Sequence, residues 1–135
     1  MANYPKDLRY SKEHEWVKLE ASGTALVGIT FFAQEQLGDV VFVVLPKVGA
    51  HIKQFAKLGE VESVKAVSDV FSPISGEVIA VNDGLTKQPE TLNADPYGKA
   101  WLIRVRPSNT SETHALLTAD QYEAYLASGE AQKGH

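Results

Sequence analysis

The sequence contains no cysteine, and its one methionine is Met1. Without cysteine there can be no disulfide framework, thiol nucleophile, cysteine zinc site or iron–sulfur ligation. Any thiol or redox chemistry must therefore come from an attached cofactor. Arginine is also scarce, with three residues, and the formal net charge is -4. Because no basic stripe is present to neutralise phosphates, we do not expect nucleic acid as a partner.

Long apolar runs are missing too. The most apolar segment, residues 40–45, is too short to span a membrane. The N-terminal stretch has no apolar signal-peptide core, and it carries Asp7 and Glu13 where a transit peptide would be rich in arginine and poor in acids. We therefore expect a cytoplasmic, bacterial protein with no membrane partner. A length of 135 residues predicts a single domain over residues 1–135.

The first half of the chain reads as short strands. Two apolar runs flank a glycine turn and predict a hairpin over residues 16–29. Thr30 as an N-cap and Gly38 as a terminator predict a short helix between them. The β-branched run at residues 40–45, stopped by Pro46, predicts a buried strand.

The second half contains the clearest helix signal. Thr118 and Gln121 have capping-box spacing, and apolar residues follow at helical intervals, so a C-terminal helix is predicted over about 118–127. Residues 85–97 contain two prolines and read as an irregular surface segment. Residues 100–106 read as a strand. Seven or so short strands with few helices make the predicted fold mainly β.

A short internal repeat lies in the middle of the chain. The pattern Gly-Glu-Val-x-x-Val followed by a polar residue occurs at residues 59–65 and again at 76–82. Such a repeat is too short for a solenoid unit, but it predicts two related strands in a small sheet structure. The first copy ends in Lys65, whereas the second ends in the turn sequence that starts at Asn82.

Lys65 has an unusual setting. Apolar runs flank it on both sides, while Ser63, Ala66 and Ser68 nearby are small. If the two runs pair as a hairpin over about 60–71, the lysine lies at the turn with no bulky neighbour, which is what a modifying enzyme needs. A lone exposed lysine usually serves only solubility, and the residues alone leave both interpretations open.

The sequence gives little indication of a catalytic site. There is no Gly-x-Ser-x-Gly nucleophile motif, no phosphate-binding loop, and the four histidines lack metal-ligand spacing. His14 and Glu15 stand next to each other before a strand. Most such residues are simply solvated, but the pair could hold a cation or serve a small hydrolase.

Several motifs together resemble the glycine cleavage system H protein family. Residues 62–69 followed by 72–78 look like its lipoyl-attachment segment. Further similar segments occur in the same order at residues 14–17, 28–30, 37–43, 93–98 and 101–102. The likeness extends from about Tyr10 to Tyr125, which is nearly the whole chain.

The resemblance implies a lipoyl-domain-like barrel-sandwich of two antiparallel sheets, with a few short helices and a C-terminal helix. It implies that Lys65 carries lipoate through an amide bond, as N6-lipoyllysine, and that a lipoate ligase or lipoyltransferase attaches it. The dithiolane would supply the sulfur chemistry that a chain without cysteine cannot. The protein would then be a non-catalytic carrier, not an enzyme.

The resemblance also implies three partners and a protective cleft. The P protein, a pyridoxal-phosphate glycine decarboxylase, would load an aminomethyl group on the arm. The tetrahydrofolate-dependent T protein, an aminomethyltransferase, would unload it, and the L protein, dihydrolipoyl dehydrogenase, would reoxidise the arm. Glu15 and Asp69 match the family's acidic cleft residues, and His14 is an adjacent cleft candidate. A carboxylate there would pair with the cargo's ammonium group.

Some features differ from the family pattern or suit a related one. Phe31 stands where many relatives have an acid, and Glu13 where a small polar residue is frequent, so both bear on the contacts of the cleft or partner surface. Biotinyl carriers share the fold, but they characteristically flank the lysine with methionine, whereas Val64 and Ala66 flank Lys65. Lipoyl domains of 2-oxo acid dehydrogenases usually lack the N-terminal extension and C-terminal helix. A further role as lipoyl donor in a lipoate relay stays open.

Overall fold

A computed structural model describes residues 4–129 of the chain. In this described part, nine strands form two sheets, and every pairing is antiparallel. The larger sheet contains β1 (Arg9–Tyr10), β2 (Glu15–Leu19), β3 (Ala25–Ile29), β5 (His51–Ile52), β8 (Gly76–Val81) and β9 (Ile103–Pro107). Its strand order is β1-β2-β3-β9-β8-β5.

The smaller sheet contains β4 (Val40–Val44), β6 (Lys57–Ser63) and β7 (Val67–Phe71), in the order β4-β6-β7. Five helical segments complete the described part of the chain: α1 (Phe31–Leu37), α2 (Gly84–Lys87), α3 (Thr91–Ala94), a 3-10 helix (Thr110–Ala115) and α4 (Ala119–Ala127). None of the helices within residues 4–129 combines the length and apolar character that crossing a bilayer requires. The predicted fold class is confirmed.

The two helices with the best sequence signals begin as those signals predict. The Thr30 hydroxyl accepts a hydrogen bond from the Ala33 amide at the start of α1, and Gly38 ends that helix at a φ of 80°. At the start of α4, Thr118 and Gln121 form both halves of a capping box. These contacts satisfy amides that a helix leaves without partners in its first turn.

The core consists of two clusters. The larger cluster is aliphatic and collects side chains from both sheets, including Val27, Val61 and Ile103. The smaller one is mainly aromatic and packs Tyr10 and Trp16 with Tyr122 of α4. Its packing is tight, since a Cβ built on Gly28 would lie 2.5 Å from the Trp16 ring. Strand β3 therefore needs glycine at that position to let the indole lie across it.

Strand β4 corrects the prediction of a buried strand. It is an edge strand, so only part of it packs against the core. Val40 and Val43 are buried, whereas Val41, Phe42 and Val44 are exposed. A register shift lies between Val40 and Phe42 and brings two neighbouring side chains to the outer face. A continuous β-branched run could not reveal that one face of the strand is uncovered.

Residues 85–97 correct a second prediction, because they are not an irregular surface segment. They include most of α2 and all of α3, and Leu85 and Leu92 from these one-turn helices are buried in the main cluster. The prolines that suggested a loop lie between and after the two helices. The strand count also exceeds the expected seven, since β1 and β5 are two-residue strands whose length allows no alternation to be seen.

Candidate functional site

Lys65 lies at the turn between β6 and β7. The last strand pair is Glu62 with Val67, and the turn is closed by a hydrogen bond from the Ser63 amide to the Ala66 carbonyl, at 2.8 Å. The Ser63 hydroxyl also accepts from the amides of Lys65 and Ala66, at 3.3 and 3.1 Å. The Ser63 side chain therefore stabilises the turn by bonding to its backbone amides, and Lys65 stays exposed.

The turn is fixed to the end of α1. The Val64 amide donates to the Asp39 carbonyl at 3.1 Å. A Cβ built on Gly38 would lie 3.6 Å from Cε of Lys65, so the lysine stem passes over the end of that helix. The Lys65 side chain is exposed, and it begins at the mouth of the space between α1 and β7.

A cleft of about 740 Å³ fills that space. The segment before and at the start of β2 forms one wall, with Glu13, His14 and Glu15. Helix α1 forms another wall and includes Phe32, while the third is residues 66–71 of the hairpin. Much of the lining is apolar, and the acids are concentrated where β2 meets β7.

Glu15 is the most enclosed acid of the cleft. Only 2% of the surface of this residue is exposed to solvent. The Ser11 hydroxyl donates to Oε1 at 2.6 Å, and the Phe71 amide donates to Oε2 at 3.1 Å. Burial raises the pKa of this carboxyl to about 8, although both hydrogen bonds act in the opposite direction. Through Phe71, Glu15 also links the large sheet to the base of the lysine hairpin.

Asp69 lies at the rim of the same cleft in a different environment. Its side chain is 47% exposed and forms an ion pair with Lys57, with 3.1 Å between Oδ1 and Nζ. The same Lys57 also pairs with Glu60 at 2.6 Å. Because the pairs are open to solvent, each contributes little to stability, and the Asp69 carboxylate can exchange partners at low cost.

His14 forms part of the cleft wall and is held from behind. It is 4% exposed, has a φ of 77°, and its ring packs 4.6 Å from that of Phe32. Its Nδ1 lies 2.7 Å from the Tyr122 hydroxyl, which is also 2.8 Å from the hydroxyl of Thr30. Burial raises the pKa of Tyr122, so its phenol stays protonated. A positive φ in a buried histidine indicates a conformation that the surroundings impose.

The structure brings together Glu15, Asp69 and His14, the three residues that the sequence suggested for a cleft, and places Lys65 at its mouth. Glu13 also lines the cleft, but Phe31 is not among its lining residues; the neighbouring Phe32 is. Sequence reasoning missed Ser11, Lys57 and Tyr122. Tyr122 is 108 residues from His14 along the chain, and no local pattern could have paired them.

A lysine at the tip of a tight hairpin, on a two-sheet β-sandwich and beside an acid-bearing cleft, is the arrangement of a swinging-arm carrier domain. The glycine cleavage H-protein family model matches residues 8–129. The chain therefore belongs to the glycine cleavage H-protein family, the lipoyl-bearing carriers of the glycine cleavage system.

Individual relatives agree with this assignment. The glycine cleavage system H protein of Neisseria meningitidis is 55% identical over 120 residues, which cover 89% of this chain and 94% of the relative. That of Symbiobacterium thermophilum is 53% identical over 129 residues, or 96% of this chain and all of the relative. The crystal structure of a glycine cleavage system H protein from Mycobacterium marinum superimposes with a TM-score of 0.84, at 41% identity, over 91% of this chain and 98% of that one.

Proposed function

We propose that Lys65 is the residue that carries lipoate, through an amide bond, and that the chain acts as a non-catalytic carrier in glycine cleavage. The observation that carries this proposal is the position of Lys65 at an exposed hairpin turn, in a chain that belongs to a family of lipoyl carriers. The whole chain, residues 1–135, would serve as one carrier domain.

The surroundings of Lys65 fit such a group. Val64 and Ala66 are exposed on either side, so a ligase can reach the amine. The turn itself is fixed by Ser63, and a recognising enzyme would therefore meet a defined backbone. Beside the lysine stem lies a cleft with an apolar lining, which suits the hydrocarbon part of the arm. When bound, the dithiolane of lipoate supplies a disulfide that can accept a one-carbon unit and two electrons.

The cleft residues would protect the cargo. An aminomethyl group on a thioether can lose ammonia and formaldehyde to water, so exclusion of water extends its lifetime. Glu15 and Asp69 offer carboxylates to its ammonium group, and a charge-assisted hydrogen bond of this type contributes roughly 1.5–3 kcal/mol. His14, held by Tyr122, would keep the wall beside Glu15 in place. The same cleft must release the arm to the partner enzymes, so the interaction has to remain modest.

The partners that follow are the P protein for loading, the T protein for unloading and the L protein for reoxidation. A lipoate ligase or lipoyltransferase would modify Lys65. The relatives reported above come from bacteria, which supports a bacterial protein that acts in the cytoplasm. A hydrolase built on His14 and Glu15 gains no support, because His14 Nδ1 contacts Tyr122 and the Glu15 oxygens accept from Ser11 and Phe71.

Substitution of the lysine tests the proposal. Lys65→Ala should abolish the glycine-dependent release of carbon dioxide in a mixture with the P, T and L proteins, since no arm can be attached. Lys53→Ala, which removes an exposed lysine from the turn before β6, is the matched control and should retain full turnover. Full turnover by the Lys65 variant would contradict the carrier role, and a hydrolase based on His14 would be unaffected by either change.

A further inference from the structure

Within residues 4–129, the Glu15 carboxyl has hydrogen-bond donors but no counter-ion. Its two contacts come from the Ser11 hydroxyl and the Phe71 amide, which are both neutral. No lysine or arginine is among the described residues that line the cleft. A buried carboxylate that lacks a cation is costly, because two neutral hydrogen bonds replace only part of its hydration.

Among the described residues, no cation contacts the Glu15 carboxyl. The adjacent His14 lines the same cleft, and its Nδ1 lies 2.7 Å from the Tyr122 hydroxyl. Glu13, on the same segment, has the same sign and disfavours a second negative charge. On β7, Asp69 already pairs with Lys57 at the rim. From α4, Tyr122 contributes a phenol that stays protonated and contacts His14 rather than Glu15.

The hydrogen bonds of Glu15 suit a neutral acid as well as a carboxylate. A serine hydroxyl can either donate or accept, so Ser11 can receive the acid proton at the 2.6 Å contact. The other oxygen can still accept from the Phe71 amide. Burial raises the pKa of this acid to about 8, which agrees with the geometry.

We propose that Glu15 is a protonated acid while the cleft is empty and releases its proton when a cationic cargo enters, so that the cleft selects the aminomethyl-bearing arm over its uncharged states. This inference rests on the proposed function, because it needs the arm on Lys65. It assigns Glu15 a role in specificity that a permanently ionised carboxylate would not have.

The proton balance is simple. A neutral Glu15 acid and a cargo ammonium in water become a carboxylate–ammonium pair in the cleft, and one proton goes to the solvent. No covalent bond or electron is transferred. Below the pKa of Glu15 in the empty cleft, the affinity for the cargo should therefore rise about tenfold for each pH unit. Above that pKa, the affinity should stay constant. An arm with an uncharged end provides no charge to replace the proton, so its entry should leave Glu15 neutral.

Carbon-13 NMR of the Glu15 carboxyl tests this inference directly. The protein is made with carboxyl-labelled glutamate in three forms: with bare Lys65, with the oxidised lipoyl arm, and with an arm that is reduced and then condensed with formaldehyde and ammonia, which forms the aminomethyl thioether with loss of water. Intact mass confirms each form. Glu15→Gln identifies the signal, and couplings along the labelled side chain identify it independently if that variant does not fold.

The expected result is a titration midpoint near 8 in the first two forms and a midpoint about 1–3 pH units lower in the third, because an opposite charge stabilises the carboxylate. Asp83→Asn removes an exposed acid just before α2, outside the cleft, and is the matched control that should preserve this difference. A midpoint near the ordinary 4.5 with bare Lys65, or one that the cargo does not move, would overturn the inference while the carrier function stands. Absence of lipoyl on Lys65 would instead overturn both.

Discussion

A carboxyl group that is 2% exposed and 3.1 Å from a backbone amide of the opposite sheet has two consequences for this molecule. Glu15 belongs to the cleft, and it also ties β2 to the end of β7. Its protonation state therefore affects stability as well as binding. The environment of Asp69 differs from that of Glu15, because the Asp69 carboxylate is open to solvent and shares Lys57 with Glu60.

The stability of the protein with bare Lys65 should decrease as the pH rises. The folded pKa of Glu15 is raised to about 8 from 4.5, so between these values the folded chain holds a proton that the unfolded chain releases. The free energy of unfolding should therefore fall between pH 4.5 and 8, by up to about 4 kcal/mol from this group. Urea unfolding at pH 5 and pH 8 measures the change.

The matched variants define the contribution of Glu15. Glu15→Gln should remove most of the pH-dependent loss, because the amide keeps partners for Ser11 and Phe71 without a titrating charge. Asp69→Asn should retain the loss seen in the unsubstituted protein. An identical pH dependence in all three proteins would show that Glu15 ionises normally in the fold.

The lifetime of the aminomethyl cargo should depend more on Glu15 than on Asp69. The double variant Glu15→Gln with Asp69→Asn should shorten it most. Glu15→Gln alone should account for the larger part, because Asp69 is half-exposed at the rim and water weakens its charge interactions. Loss of one charge-assisted contact of roughly 1.5–3 kcal/mol corresponds to a decay faster by about 10- to 150-fold. Mass spectrometry of the isolated loaded protein gives the rate, and an unchanged rate in the double variant would remove the proposed role of both acids.

Among the elements, the C-terminal helix is joined to the cleft wall chiefly through Tyr122. Tyr122 on α4 contacts both His14 and Thr30, and its ring stacks on Tyr10 at 4.8 Å. Thr30 in turn begins α1, which forms a cleft wall. The C-terminal helix therefore supports the site although none of its residues lines the cleft.

Removal of the Tyr122 hydroxyl tests this connection. Tyr122→Phe leaves His14 and Thr30 without their shared partner in a buried place, and it should lower the free energy of unfolding by about 1–3 kcal/mol. Tyr10→Phe is the control, since it removes one phenol contact to the Pro5 carbonyl near the chain start and should cost less. Denaturant unfolding compares the two, and no loss for Tyr122→Phe would mean that the contact contributes nothing.

Local sequence patterns predicted some features of these elements but not others. The capping box predicted α4, and the two flanking apolar runs predicted the β6–β7 hairpin with Lys65 at its turn. The outward face of β4 and the burial of Leu85 and Leu92 depend on what other segments cover, which no local pattern records. The contact between His14 and Tyr122 could not be predicted for the same reason. Resemblance to a family suggested the acids, but not that burial would keep one of them protonated.

The whole molecule combines a two-sheet sandwich with an exposed hairpin turn that presents Lys65. Core side chains from both sheets hold the hairpin base, and Ser63 fixes its turn, so Lys65 has a defined position from which an arm can move. Because the sequence has no cysteine, thiol chemistry would have to come from a group attached there. The cleft beside the turn would then decide which state of the arm is withdrawn from water.

Peptide mapping of protein produced with abundant lipoate ligase and lipoic acid shows whether the amine of Lys65 bears the arm. We expect the peptide containing Lys65 to gain the mass of one lipoyl group and no other lysine peptide to do so. Lys65→Arg should abolish the gain. A bare Lys65 peptide under these conditions would contradict this expectation.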